Sequence, residues 1–286
     1  MKRRYFLNSA DTPFDCHCHI LPGLDDGSTS LEESLYLAGR LVAYGFRRAV
    51  CTSHSTSKYR NSPETVIPAC ERLQEALDKE GIPLELVPSL EYRLIPETWP
   101  EQRHMGLLPW EGNHILIELP LYHPEKMGDI DPANEIRSLI AEGYQPVLAH
   151  PERYLWASRE EYDRLHEAGA VFQQNLGSQE GFYGQESAIR TESLLRLGYY
   201  GFLGTDTHSR QYTAFFDKLL EEGDYTKENK AHAGDSAGFS TVYWLVATAA
   251  FLIMNFTGVS KAWIIWPVAG VLFAAIRIIF NAVRKK

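Results

Sequence analysis

The sequence predicts an α/β fold in which parallel strands carry helices on their outer side. Short apolar runs alternate with amphipathic stretches up to about residue 210, and the stretches have helical periodicity. Repeated strand–helix units of this kind place the strands parallel to one another, in an open sheet or a closed barrel. In either arrangement the chemistry gathers at the carboxyl ends of the strands.

The predicted elements follow one another regularly along the chain. Six apolar runs are predicted strands: Arg47–Ser53, Leu84–Leu90, His114–Leu119, Gln145–Ala149, Ala170–Gln174 and Tyr199–Gly204. Five amphipathic stretches are predicted helices: Leu31–Tyr44, Pro63–Lys79, Pro132–Glu142, Arg159–Ala168 and Glu186–Leu197. Ser30 precedes the first helix, where a serine hydroxyl can accept a hydrogen bond from a free backbone amide.

The chain is acidic except at its C-terminal end. Its formal net charge is −9, yet from Thr241 onward it carries five basic residues and no acidic one, which leaves −14 for residues 1–240. An acidic body argues against a nucleic-acid groove, because phosphate backbones are bound by basic surfaces. The same charge suits a pocket whose carboxylates hold cations.

The four cysteines do not predict a disulfide framework or a cysteine phosphatase. The N-terminal residues have a basic start but lack the apolar core of a secretory signal, so a reducing cytosolic setting is expected. A cysteine phosphatase needs an arginine six residues after its nucleophile. The residues six positions after the cysteines are Pro22, Leu24, Ser57 and Ala76.

The C-terminal part predicts a membrane anchor. A polar linker over residues 216–240 precedes two apolar runs, Thr241–Thr257 and Ala262–Ile276, which are close to the length that spans a bilayer. We therefore predict a two-helix transmembrane hairpin over 241–283 in contact with membrane lipid. The basic C-terminal end favours the cytoplasmic side, which puts the acidic body of the chain there too. The alternative is a hairpin buried in a soluble core.

The run "DCHCH" at residues 15–19 divides between two faces of an extended segment. His17 and His19 are two residues apart and therefore point to one side, whereas Cys16 and Cys18 point to the other. A Cys₂His₂ zinc clip, whose ligand pairs usually come from two elements, is disfavoured by this geometry. The histidines are instead candidates for an inward-facing metal site.

Further metal-capable residues fall at the ends of the predicted strands. Together with the first two histidines they make a candidate set of eight: His17, His19, His54, Glu91, Glu118, His150, Asp206 and His208. A lone histidine at a strand end is usually structural, but Glu118 lies in the apolar run "ILIELP", where an unpaired carboxylate is costly. Such a mixed nitrogen and oxygen set favours manganese, zinc or iron over magnesium alone, with two or three ions held.

These residues lie in motifs that resemble a known superfamily. "DCHCHILPGLDDGS", "CTSHS", "EYR", "AHPERY" and "GTDTHS" are similar to the motifs of the PHP (polymerase and histidinol phosphatase) superfamily. Within it, the chain resembles the bacterial metal-dependent protein-tyrosine phosphatases of capsule and exopolysaccharide control. The resemblance covers about residues 13–210 and implies a distorted seven-stranded (β/α) barrel over 13–215. After His208 the sequence is shorter than the family pattern. The sequence therefore does not decide whether the barrel closes completely.

The resemblance also implies cofactors and residue roles. It implies a trinuclear centre, usually dependent on Mn²⁺, with Zn, Fe or Co as other options, and it places the family's ligands on the same eight residues. Asp26 takes the position of a catalytic acidic residue and Arg153 that of a phosphate-binding arginine. Arg210 is a weaker candidate for a second arginine that binds substrate.

The function implied is hydrolysis of phosphotyrosine in a protein substrate, with a bacterial tyrosine kinase of polysaccharide export as the expected partner. Metal ions would supply a hydroxide nucleophile, and Arg153 would stabilise the charge that develops on the phosphoryl oxygens. Two alternatives stay open at this point. One is a phosphomonoesterase for small molecules, similar to histidinol phosphatase. The other is a membrane-anchored regulator that only binds metal.

Overall fold

Seven parallel strands form a single sheet in chain order in the computed structural model, which describes residues 14–218. The strands are β1 Phe14–Cys18, β2 Arg48–Ser55, β3 Glu85–Arg93, β4 His114–Glu118, β5 Gln145–Leu148, β6 Val171–Asn175 and β7 Tyr200–Gly204. The predicted strands are therefore all present, and β1 adds a seventh. This strand was not among the predicted ones because its alternating cysteines and histidines do not form an apolar run.

Six helices connect the strands. They are α1 Leu31–Ala43, α2 Pro63–Glu80, α3 Trp99–Met105, α4 Pro132–Ala141, α5 Arg159–Glu167 and α6 Gln185–Leu197, and residues 210–218 are also helical. Ser30 caps α1 as predicted, with its side chain accepting a hydrogen bond from the Glu33 amide. The short helix α3 was not predicted, because seven residues are too few to establish a helical period.

The sheet curls into a nearly closed barrel, with β1 meeting the segment that follows β7. The His17 carbonyl accepts a hydrogen bond from the Asp206 amide at 2.8 Å, and the His19 amide donates to the Thr207 carbonyl at 2.9 Å. These bonds form a parallel bridge between Cys18 and Thr207. The first and last strands of the barrel are thus joined by main-chain bonds, and we call this junction the seam.

A buried carboxylate fastens the same seam. Asp15 is fully buried and accepts hydrogen bonds from the Thr205 amide at 2.8 Å and the Thr205 hydroxyl at 2.6 Å. It also accepts a bond from the His17 amide at 3.1 Å. Burial raises the pKa of this carboxyl to about 6, and its hydrogen bonds oppose that shift.

Asp15→Ala is expected to lower the free energy of unfolding of the metal-free chain by about 3 kcal/mol, because buried donors lose their acceptor. Asp15→Asn keeps an acceptor oxygen and is expected to cost less. Urea unfolding measures both, with exposed Asp129→Ala as the control. A loss no larger than that of the control would show that the seam does not depend on this side chain.

The hydrophobic core lies largely between the barrel and its helices. Cys18 and Cys51, from neighbouring strands, and Cys70 from α2 belong to this core, and all four cysteines of the chain are buried and free. A second, smaller cluster includes Val50, Trp110 and Val147. The inward-facing residues at the carboxyl ends of the strands are instead polar, which leaves room there for a site.

The predicted membrane hairpin over 241–283 and nearly all of the linker over 216–240 lie outside the described residues. Within residues 14–218, no helix has both the length and the apolar character needed to cross a bilayer.

Candidate metal centre

All eight predicted ligands converge at the carboxyl ends of the strands. Histidine and carboxylate atoms there form four overlapping groups, each with its donor atoms within 4.8 Å of one another. The groups are His17–Glu91–His150, His17–His19–Asp206, His54–Glu91–Glu118 and His19–His54–His208. Because four of the residues belong to two groups each, neighbouring ions could share ligands. The strands thus bring together residues up to 191 positions apart, which is the separation of His17 and His208.

Glu91 lies at the middle of the cluster. Its Oε2 is 2.8 Å from His54 Nδ1 and 3.4 Å from His19 Nε2, and its Oε1 is 3.2 Å from His150 Nε2. A fourth imidazole, that of His17, has its Nε2 3.5 Å from Oε2. The carboxylate is fully buried and surrounded by nitrogen donors, which is the environment of a bridging metal ligand.

One set of three donors has the spacing of a metal's coordination shell. His17 Nε2 and His19 Nε2 are 3.0 Å apart, and Asp206 Oδ1 is 3.4 Å and 3.6 Å from them. Ligands about 2.1 Å from a common ion are separated from one another by about 3.0–3.4 Å. The three atoms therefore fit around a divalent cation.

Unpartnered buried atoms support the same fit. Glu91 Oε2, His54 Nδ1 and His150 Nδ1 are buried and have no hydrogen-bond partner. The first two of these atoms, Glu91 Oε2 and His54 Nδ1, are 2.8 Å apart and form an ion pair. Polar atoms left in this state are costly, and a metal ion would use the carboxylate oxygens and imidazole nitrogens that face one another. The buried nitrogen and oxygen donors thus fit the divalent metal ions that the sequence predicts.

The backbone is adapted to bring the ligands together. His150 has a φ of 32° and Asp206 a φ of 55°, values that residues other than glycine rarely adopt. Glycines make room beside two other ligands. A Cβ on Gly204 would lie 2.6 Å from the His17 Cβ, and one on Gly27 would lie 2.1 Å from the His19 carbonyl oxygen. Two candidate ligands therefore have rarely adopted backbone angles, and two others have a glycine packed closely against them.

Outer partners orient the first pair of histidines. His19 Nδ1 is 2.8 Å from Asp25 Oδ2, and that oxygen also accepts a hydrogen bond from the His54 amide at 2.9 Å. His17 Nδ1 is 3.0 Å from Gln173 Oε1, which also accepts from the His150 amide. Such partners fix the ring orientation and raise the basicity of metal-binding histidines. Sequence reasoning missed both, although Asp25 stands directly beside Asp26.

Asp25→Asn is expected to weaken metal binding by about 10- to 100-fold, because the His19 ring loses its charged partner. The barrel should stay folded, since the amide has nearly the same shape as the carboxylate. Metal titration of the metal-free chain followed by calorimetry measures the change. An affinity equal to that of the unchanged chain would mean that Asp25 does not tune the site.

The charges of the cluster raise the pKa values of three imidazoles. Burial alone would lower the pKa of His17, His19 and His54, but neighbouring carboxylates outweigh it. Glu91 acts mainly on His17 and His54, and Asp25 acts mainly on His19. Without metal, these rings therefore bind protons more tightly than a free imidazole does, and a cation must compete with those protons.

His208 behaves differently from these three. Burial and the neighbouring His19 lower its pKa to about 4, so its ring is neutral at pH 7 and free to act as a ligand. Burial opposes ionisation of Asp206, yet the charges of His17 and Arg153 hold its pKa well below the usual range. The site therefore offers an ionised carboxylate and a neutral imidazole side by side at neutral pH.

Metal-induced stabilisation is expected to grow as the pH rises from about 6 to about 8. The raised imidazole pKa values stabilise the metal-free fold fully below the unfolded value of 6.5, and this contribution is lost as the pH rises through the folded values. Bound metal requires neutral rings and therefore gains affinity over the same range. Thermal melts with Mn²⁺ and with a chelator measure the difference, and a stabilisation that shrinks with pH would contradict this account.

The candidate ligands open onto a cavity of about 310 Å³. Arg153 lines it, and its Nη1 donates to Asp206 Oδ2 at 2.9 Å while its guanidinium lies 4.2 Å from the centre of the Tyr183 ring. Asp26 also lines the cavity, with Oδ1 3.4 Å from His54 Nε2, and its side chain is 54% exposed. Arg93, in the "EYR" motif, lines the cavity as well and pairs with Glu118.

Arg210 is placed elsewhere. It is not among the residues that line the cavity. Its guanidinium lies 4.1 Å from the centre of the Tyr36 ring and 3.8 Å from a Glu32 oxygen. The residue begins the 210–218 helix, and the first turn directs its side chain toward α1 instead of the metal cluster. The structure thus brings together the other predicted site residues but not this one.

Comparisons with known proteins agree with this geometry. The family described as "Capsular polysaccharide synthesis, CpsB/CapC" matches residues 13–215. Tyrosine-protein phosphatase YwqE of Bacillus subtilis (strain 168) is 31% identical over 248 residues, which cover 85% of this chain and 92% of the relative. A putative tyrosine-protein phosphatase CapC of Staphylococcus aureus is 27% identical over 217 residues, covering 72% of this chain and 81% of the relative.

A solved structure also matches, from work on YwqE of B. subtilis and CpsB of Streptococcus pneumoniae, described as unique metal-dependent tyrosine phosphatases. The TM-score is 0.63 at 30% identity, over 73% of this chain and 86% of the other. The resemblance predicted from the motifs is therefore confirmed, and the chain belongs to the CpsB/CapC family.

Proposed function

We propose that the chain is a metal-dependent protein-tyrosine phosphatase. The observation that carries the proposal is the convergence of eight metal-capable side chains beside a cavity lined by Arg153. The relatives of the chain are named as tyrosine phosphatases, and one solved pair is described as metal-dependent. A cavity with clustered histidines, carboxylates and a guanidinium is suited to a phosphate monoester.

The proposed ligands are the eight residues of the cluster, and the proposed ions are two or three Mn²⁺, with Zn, Fe or Co as other occupants. Bound there, divalent cations would lower the pKa of a water molecule and neutralise charge on the phosphoryl group. The overlapping donor groups and the central position of Glu91 support more than one ion. The combination of five imidazoles with three carboxylates favours a transition metal over magnesium.

Arg153 is proposed to bind the phosphoryl oxygens. Its guanidinium is held by Asp206 and by the face of Tyr183, so it is already oriented before substrate arrives. Arginine offers a planar fork of donors that matches the oxygens of a phosphate. Donors fixed in advance stabilise developing charge better than mobile ones.

Asp26 is proposed to handle a proton at the mouth of the cavity. Its Oδ1 is 3.4 Å from His54 Nε2 and 3.8 Å from His208 Nε2, and its exposed side chain can exchange protons with solvent. The carboxyl could orient the attacking water or protonate the leaving oxygen. A tyrosine leaving group, whose pKa is about 10, needs only modest help.

The proposed biological setting follows from the family description. We propose that the substrate is a phosphotyrosine protein in capsular or exopolysaccharide synthesis, with a bacterial tyrosine kinase as the partner. The acidic net charge of residues 1–240 argues against nucleic acid as a substrate. The apolar runs over 241–283 support a membrane-anchored protein with its catalytic domain on the cytoplasmic side.

A substrate panel with metal analysis tests the proposed function. The full chain, loaded with Mn²⁺, is assayed on a phosphotyrosine peptide and on histidinol phosphate. Metal-dependent hydrolysis of the peptide with a clear preference over the small ester supports the proposal. Preference for histidinol phosphate would identify a small-molecule phosphomonoesterase instead. Bound metal without hydrolysis of either compound would identify a regulator.

A further inference from the structure

The cavity has two apolar walls among mostly polar ones. Nine of its lining residues carry charged, imidazole or hydroxyl side chains, and Leu121 and Tyr212 supply the remaining apolar surface. A phosphate needs the polar part of such a cavity but has no use for the apolar part. We therefore ask which organic group, attached to the phosphate, the apolar walls would contact. This inference rests on the proposed function.

Tyr212 forms the first wall and is rigidly placed. Its ring stacks on His208 with centroids 5.3 Å apart and an angle of 26° between the planes. Phe182 packs against the same ring at 4.8 Å, and Tyr183 lies edge-on at 6.4 Å.

Leu121 forms the second wall and lies three residues after Glu118, at the end of β4. The segment that carries it is fixed on both sides. The Leu119 amide donates to the Tyr154 hydroxyl at 3.0 Å, and the Trp156 indole donates to the Pro120 carbonyl at 2.9 Å. The leucine is partly buried and packs against the main core, which leaves part of its side chain facing the cavity.

The position of Tyr212 would bring its ring next to the leaving group of a bound phosphate ester. Its ring covers His208, and His208 belongs to the cluster that would hold a phosphate through bound cations. A group attached to that phosphate on the outer side therefore lies next to the Tyr212 ring. An aromatic group there can stack on the tyrosine in an offset or edge-on arrangement, which an alkyl group cannot do.

We propose that Tyr212 and Leu121 hold the phenyl ring of phosphotyrosine and so select aryl over alkyl phosphates. Neither side chain is a predicted ligand, so the variants keep every ligand and Arg153. It is therefore expected to weaken binding of the ring more than binding of the phosphate group. The quantity that isolates this effect is the ratio of affinities for an aryl and an alkyl phosphonate, which are not hydrolysed.

The test compares inhibition of the Mn²⁺-loaded full chain by phenylphosphonate and by methylphosphonate. Tyr212→Ala is expected to lower the preference for the phenyl compound by about tenfold, the loss of one aromatic contact and its buried surface. Tyr212→Phe keeps the ring and is the matched control, with a preference expected within about twofold of the unchanged chain. Leu121→Ala is expected to lower the preference about threefold.

An unchanged preference in both alanine variants would overturn the inference. Equal weakening of both inhibitors by Tyr212→Ala and by Leu121→Ala would also overturn it, because the residues would then act only by supporting the metal cluster. Metal content of each variant is measured in parallel, and Leu121→Ala, which changes a residue on a different segment of the chain, gives an independent reading. Failure of the proposed function is seen separately, as absence of phosphotyrosine hydrolysis by the unchanged chain.

Discussion

Replacing Glu91 with glutamine is expected to lower the metal content of the chain by at least one ion and phosphotyrosine hydrolysis by at least about 100-fold. The substitution keeps the shape of the side chain but removes the charge that faces four imidazoles. An amide cannot bridge two cations as a carboxylate does. Elemental analysis of the purified chain and the phosphotyrosine assay measure the two effects together.

Glu85→Gln is the matched control for this change. Glu85 begins the same strand, at the opposite end of the barrel, and its side chain is 67% exposed. Its substitution should leave metal content unchanged and activity within about twofold. If Glu91→Gln kept its full complement of metal and its activity, the central position of this carboxylate would be structural only.

Arg153→Lys is expected to lower kcat by about 10²- to 10³-fold while the metal remains bound, because lysine keeps the charge but not the planar fork of donors. The guanidinium contacts Asp206 and the Tyr183 ring, so its position depends on groups that a lysine ammonium matches poorly. Steady-state kinetics on a phosphotyrosine peptide, with metal analysis of the same sample, measures the outcome.

Arg196→Lys serves as the control, since Arg196 is 76% exposed in α6 and pairs with Glu192 on the same helix. It should leave kcat within about twofold of the unchanged chain. Loss of metal in step with activity in Arg153→Lys would show that Arg153 acts by positioning Asp206. Unchanged kcat would show that the arginine is not part of the catalytic machinery.

The residues at the carboxyl ends of the strands could be predicted from the sequence, because each buried parallel strand is a recognisable apolar run. An apolar run marks each buried strand, and the residue that follows it must lie at the carboxyl end of the sheet. His54, Glu91 and His150 could therefore be assigned to one site before any geometry was known. The strand β1 escaped this reasoning, since its inward face is made of histidines and its outward face of cysteines.

The loop residues could not be assigned in the same way. Asp25 and Asp26 are adjacent and chemically identical, and only the turn of the irregular segment after β1 decides that Asp25 is buried against His19 while Asp26 is exposed. Arg210 was assigned to the site because the family resemblance implies a further arginine after His208. The helix that begins there turns its side chain toward Tyr36, and no local pattern reports that direction.

The seam of the barrel has a consequence for the order in which the protein can be assembled. His17 and His19 are made early in synthesis, whereas Asp206 and His208, on the other side of the seam, emerge nearly 190 residues later. A nascent chain without the later pair can hold only part of the ion-binding set. Contacts of such long range form late in folding. Ion uptake would thus mark the moment when the two ends of the barrel have met.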